Sequence, residues 1–135
     1  MNNDSVVWDD IYSVGFEPID NQHKELVKII NELFDICKQE SAAGDSVILK
    51  MIDKTTDYAG MHFADEMNYI RKAGFPKIKE HRQQHDDFIE TVLKSIQDYR
   101  AGKAVPIELA RFLKNWLLTH IAEQDKQYAP YLSKA

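Results

Sequence analysis

The stretch HRQQHDDFIETVLKSIQDY, residues 81–99, carries two patterns at once. Phe88, Val92, Ile96 and Tyr99 recur at helical spacing and mark one apolar face. His85 and His81 lie one and two turns upstream of Phe88 on the same face. A helix that turns apolar residues inward therefore turns two imidazoles inward with them, and both need a partner once water is excluded.

The same reading extends along the chain. Breakers divide it into an arm, residues 1–18, and four helical segments. These are expected at Ile19–Gln39, Ser46–Lys72, Lys77–Arg100 and Pro106–His120, and residues 121–135 are interrupted by Pro130. Asp20 is the expected cap of the first segment, accepting from the backbone N–H of Gln22 or His23. Inward stripes follow as Leu26, Ile30, Leu33 and Cys37, then Ile48, Ile52, Thr55 and Ala59, and last Leu109, Leu113, Trp116 and Leu117. Four such helices with short links predict an all-α fold, an antiparallel up-down-up-down four-helix bundle with an N-terminal arm, forming one domain over residues 1–135.

All five histidines fall on these stripes. His23 begins the first helix, His62 and Glu66 close the second, His81 and His85 open the third, and His120 closes the fourth. Antiparallel packing brings those four ends together, and at a rise of about 1.5 Å per residue the side chains share one layer. A lone inward histidine is most often satisfied by a backbone carbonyl. Five in one layer with a carboxylate exceed what helix interiors can offer, and metal ions would satisfy them together. Five imidazoles also exceed the three or four protein ligands usual for one zinc. Two metals bridged by carboxylates fit better, with Glu66 as one bridge and either Glu123 or Asp125 as the second. Five residues of straight α-helix rotate by about 140°. If Asp125 shares a centre with His120, the fourth helix must therefore break just after His120.

Composition excludes other classes. The net charge of −5 and pI near 5.5 argue against nucleic acid or an anionic membrane as partner. No apolar run spans a bilayer. The single cysteine and an opening, Met1-Asn2-Asn3-Asp4-Ser5, without basic and apolar regions set the expectation of a cytoplasmic protein.

The order of these residues resembles the hemerythrin family. The elements are His23 after Asp20-Asn21-Gln22, then His62-Phe63-Ala64-Asp65-Glu66, His81-Arg82-Gln83-Gln84-His85, and His120-Ile121-Ala122-Glu123-Gln124-Asp125. The single-domain bacterial members are the most similar, on DNQHKEL and the arm VVWDDIYSVGFEPID. The resemblance implies a non-haem di-iron centre with an oxo or hydroxo bridge that binds O2 reversibly, for delivery, storage or sensing. It assigns His81, His85 and His120 to one iron, His23 and His62 to the other, and the bridges to Glu66 and Asp125. Phe63, Trp116, Leu117 and Ile121 adjoin ligands and are the expected walls of an O2 pocket. Tyr128 is a candidate donor to a bridging carboxylate. An O2 binder rather than an enzyme is expected. The alternative is a di-iron enzyme acting on peroxide or nitric oxide, or a repair factor for iron centres. The arm, with Trp8 and Phe16, is expected to cover the open end of the bundle.

Overall fold

A computed structural model describes residues 5–38, 45–103 and 106–132. Four long helices account for most of them: α1 (Glu17–Lys38), α2 (Asp45–Lys72), α3 (Ile78–Arg100) and α4 (Pro106–Thr119). A π-helical turn, His120–Gln124, continues α4 and passes through a 3-10 turn, Asp125–Gln127, into the short helix α5 (Ala129–Leu132). The helix ends expected from sequence agree to within two residues. Gln39 and the breaker at 41–44 lie outside the described residues.

Local chemistry sets these boundaries. α1 starts earlier than Asp20 because Pro18 fits the first turn, where a missing N–H costs nothing. The N–H groups of Ile19 and Asp20 both donate to the Phe16 carbonyl. Asp20 therefore does not cap the helix. Its carboxylate instead accepts from Ser13 Oγ at 2.6 Å and the Val14 N–H at 2.8 Å, tying down the arm. At the end of α2, Gly74 takes φ +80° and the Phe75 N–H closes back on the Ile70 carbonyl. This left-handed stop needs glycine and turns Phe75 inward. Gly102 ends α3 in the same way, with the Lys103 N–H on the Asp98 carbonyl.

α1 packs against α2 and α4, and α3 packs against the same two, so each helix lies beside antiparallel neighbours in a four-helix bundle. Two apolar clusters fill it. The larger runs through the middle and includes Leu33, Phe34, Ile52, Phe88, Val92 and Leu113. The smaller closes one end with Val14, Ile19, Ile70, Phe75, Tyr128 and Leu132. Between them lie His23, His62, Glu66, His81, His85, His120 and Asp125, all buried. Phe16 of the arm packs on the end cluster and on Tyr69, as a cover should. Trp8 does not share that role. It sits beside Tyr12 under the Lys24 ammonium, farther along α1, where the backbone N–H of Val6 donates to the Asn31 side-chain oxygen and the Val6 carbonyl accepts from the Asn31 amide. Among the described residues, no helix is long and apolar enough to cross a membrane.

Candidate metal centre

Four helix ends deliver the buried polar layer. His62 and Glu66 are one turn apart on α2, and His81 and His85 one turn apart on α3. His23 points in from the second turn of α1. His120 and Asp125 flank the π turn, where the Asp125 N–H donates to the His120 carbonyl. The wider turn brings the two side chains to 3.0 Å, which a straight α-helix would have rotated apart. Of the two carboxylates left open by spacing, Asp125 is buried in the layer and Glu123 is exposed.

The two carboxylates divide the imidazoles. Glu66 Oε1 lies 2.7 Å from His81 Nε2 and 3.0 Å from His85 Nε2. Its other oxygen, Oε2, lies 3.2 Å from His62 Nε2 and 3.6 Å from His23 Nε2. Asp125 repeats the division, with Oδ1 at 3.1 Å from His81 and 3.0 Å from His120, and Oδ2 at 3.2 Å from His23. The result is two adjacent donor sets that share both carboxylates. One contains Glu66, His81, His85, His120 and Asp125; the other contains His23, His62, Glu66 and Asp125.

Much of this layer is close without being hydrogen-bonded. Both ring nitrogens of His23 and of His85, Nε2 of His120 and both carboxylate oxygens of Asp125 are buried and have no hydrogen-bond partner among the described residues. One unsatisfied buried polar group costs about 1–3 kcal/mol, and a whole domain is stable by only about 5–15 kcal/mol. A polypeptide does not assemble seven such atoms in one layer for stability. Cations between the nitrogens and oxygens would satisfy them together, so the residues present fit a metal pair.

Electrostatics point the same way. Burial alone would depress His23, but the carboxylates of Asp125 and Glu66 beside its Nε2 outweigh it and raise its pKa to about 9. His81 is likewise lifted to about 9 by the same two carboxylates against its burial. His85 is pushed down, chiefly by burial. Burial would raise Glu66, yet His23, His62 and His81 hold it well below the usual carboxylate range. Asp125 is also held low, because His120 and His23 outweigh its burial and the charge of Glu66. The two carboxylates thus stay ionised, balanced without metal by protons on His23 and His81, and metal cations would take over that balance by displacing the protons.

Around the layer, Tyr128 donates its hydroxyl to Glu66 Oε2 at 2.9 Å. Burial first, then the charges of Asp125 and Glu66, push its pKa well above the ordinary value, so it remains a donor. The side chains expected to wall a pocket all belong to or pack on the central cluster. Phe63 stacks on the His85 ring at 3.9 Å between centroids, and Trp116 stacks on His120 at 4.4 Å. Both therefore pack chiefly against the set of three imidazoles. Leu117 and Ile121 lie in the central cluster together with Leu26 and Ala59, which are one turn from His23 and His62. Sequence reading passed over Leu26 and Ala59 as pocket neighbours, although their one-turn spacing from the two histidines was visible. It also passed over Gln22, whose Oε1 lies 2.6 Å from His62 Nδ1. Nothing local marks that contact, which forms only when α1 meets α2.

A helical bundle that closes on a buried histidine–carboxylate layer defines a protein able to hold metal between its helices. Comparison with known proteins narrows the class. The family model described as "Hemerythrin HHE cation binding domain" matches residues 14–132, and the chain belongs to the hemerythrin family. It is 33% identical over 127 residues to a bacteriohemerythrin of Clostridium acetobutylicum, covering 90% of this chain and 97% of that one. It is 31% identical over 121 residues to a myohemerythrin of Theromyzon tessulatum, covering 90% and 88% of the two chains. A crystal structure of wild-type hemerythrin superposes with a TM-score of 0.85 at 30% identity, covering 95% of this chain and 98% of that one.

Proposed function

We propose that this protein binds O2 reversibly at a pair of iron ions held by His23, His62, Glu66, His81, His85, His120 and Asp125, and that it carries, stores or senses O2 rather than transforming it. The observation that carries the reading is the division of oxygens: each carboxylate turns one oxygen to each donor set. A carboxylate between two metals needs that arrangement, and one metal does not.

The donor count separates the two positions. The set with three imidazoles brings five residues, and the set with two brings four. If a metal pair shared one bridging oxygen from solvent, the first set would offer six donors and the second five. Mixed imidazole and carboxylate donors at that coordination number suit iron better than the tetrahedral preference of zinc. When bound, the iron pair supplies two electrons and the open position at which O2 binds.

The chain's own groups favour binding over turnover. The set with His23 and His62 would leave that position, and the apolar side chains of Leu26, Ala59, Leu117 and Ile121 belong to the central core that adjoins the layer. A dry wall of this kind keeps water from delivering protons. Tyr128 holds Glu66 by a hydrogen bond to its oxygen on the two-imidazole side.

Metal analysis of protein produced with ample iron should give about two iron ions per chain. The visible absorption of the reduced, loaded protein should change on exposure to O2 and return when O2 is removed. A single zinc with His23 left free would overturn the reading. Consumption of O2 with no reversible change would replace it with an enzyme.

A further inference from the structure

Gln22 sits one residue ahead of His23, half-buried where α1 meets α2. Its side-chain oxygen lies 2.6 Å from His62 Nδ1, and its amide nitrogen lies 2.8 Å from Asp65 Oδ2. Chemistry decides which end of the amide faces which partner. A carboxylate only accepts, so the NH2 group faces Asp65, and the carbonyl is left for His62. A carbonyl also only accepts, so His62 must donate from Nδ1. When the ring holds a single proton, that proton is on Nδ1. Nε2 is then a bare lone pair 3.2 Å from Glu66 Oε2, with no proton between them.

His23 and His85 differ in this respect. Their Nδ1 atoms are buried and have no hydrogen-bond partner among the described residues. Neither ring has a side chain on Nδ1 to hold a proton there, as His62 does.

We infer that Gln22 is a positioning residue for His62: anchored by Asp65, it fixes the ring's orientation and its Nδ1–H tautomer, and as a neutral acceptor it keeps His62 a moderate donor. The donor-strength half of this inference rests on the two-metal reading. A ligating imidazole is oriented by what its second nitrogen bonds, and it becomes more basic when that partner is a carboxylate. Here the charge is one hydrogen bond farther away, on Asp65, and an amide stands between. His62 belongs to the four-residue donor set, the one that would leave a position for O2. A moderate donor there favours the reduced iron to which the pair must return when O2 leaves.

The test begins without metal. Long-range proton–nitrogen correlation spectra of the metal-free protein should show His62 as the Nδ1–H tautomer with a slowly exchanging proton. Gln22→Leu should abolish that preference and leave His23 unchanged, and Asp65→Ala, which removes only the anchor, should weaken it. Titration with Co2+ should then load two ions into the wild type. Gln22→Leu should weaken one of them by roughly 10–100-fold, the usual size of an effect through a ligand's outer partner. The double variant Gln22→Glu with Asp65→Asn exchanges amide and carboxylate while keeping both hydrogen bonds. It should restore the Co2+ affinity and shift the midpoint potential of the iron-loaded protein downward. An Nε2–H tautomer in the wild type would overturn the inference, as would a Gln22→Leu protein with unchanged tautomer and unchanged Co2+ binding. If the wild type shows the Nδ1–H tautomer but takes up fewer than two Co2+, the two-metal reading fails and the positioning of His62 by Gln22 stands.

Discussion

Glu66 is fully buried, and its acceptor sites are divided among four imidazoles and one phenol. At that scale the hydroxyl of Tyr128 is the neutral contribution, and its removal can be read alone. Tyr128→Phe keeps the ring in the end cluster and leaves Glu66 Oε2 without this donor. A hydrogen bond to a charged group contributes about 1.5–3 kcal/mol, so thermal denaturation should show a loss of that order. An unchanged midpoint would mean that the hydroxyl does not reach the carboxylate in solution. Leu117 tests the apolar wall. Leu117→Ala should cost about 2–5 kcal/mol as a core truncation and admit water on the vacant side. Loss of the O2-reversible form to the oxidised form, followed by absorption, should then be faster than in the parent. Leu33→Ala, elsewhere in the same core, should cost similar stability and leave that rate unchanged. Equal rates in all three proteins would reduce Leu117 to ordinary packing.

Among the elements, the π turn and the arm carry the most information. His120 and Asp125 are five residues apart, and their joint approach to one centre demands the wider turn, so a break in the fourth helix follows from spacing once both face inward. The arm could not be read in that way. It has no periodicity, and its path depends on partners distant in sequence: Asn31 for Val6, Lys24 for Trp8 and Asp20 for Ser13 and Val14. Asp20 shows the difficulty. Its position near a helix start reads as a cap, but the helix begins a turn earlier at Glu17 and frees its carboxylate for the arm. Asp20→Ala should therefore detach residues 13–14 without unwinding α1. Hydrogen exchange at the Val14 amide should accelerate by one to two orders of magnitude, on the order of the 1–3 kcal/mol lost with a charged acceptor, while the helical circular dichroism holds. Fraying of the first turn of α1 instead would restore the capping role.

For the molecule as a whole, the buried layer links stability to pH, and the sign is fixed by the shifts. His23 and His81 are raised from 6.5 to about 9, so what they contribute is fully present below 6.5 and is lost as pH climbs through about 9. Glu66 and Asp125 are depressed, so their contribution is present above their ordinary values of 4.5 and 3.8 and is lost as acid protonates them in the folded state. His85, lowered by burial, works against the first pair as pH falls below 6.5, one group against two. The metal-free protein should thus melt highest near pH 4.5–6.5 and lose stability toward pH 9. Loading opposes this dependence, because metal binds deprotonated imidazole and releases protons, so its contribution grows as pH rises. Calorimetry on both forms should show a falling midpoint from pH 6.5 to 9 without metal and a nearly flat one with it. A metal-free midpoint that rises over that range would contradict the charge balance described here.

What could be determined from the chain alone was whatever repeats locally. Apolar spacing along each helix is a property of that helix, and so is the face on which His62 and Glu66, or His81 and His85, project. Height follows from a constant rise per residue, so the common layer at one end of the bundle was also within reach. Tertiary structure decided everything that depends on how neighbouring helices rotate against one another. Only there does Glu66 turn one oxygen to α3 and the other to α1 and its own helix, and Asp125 rather than Glu123 come to lie in the layer. Only there do Phe63 and Trp116 stack on His85 and His120, and only there does Gln22 meet His62 across the α1–α2 seam. Helical periodicity places a side chain on a face to within a turn. A contact of 3 Å between two helices depends on both rotations at once, and no single stretch of sequence encodes it.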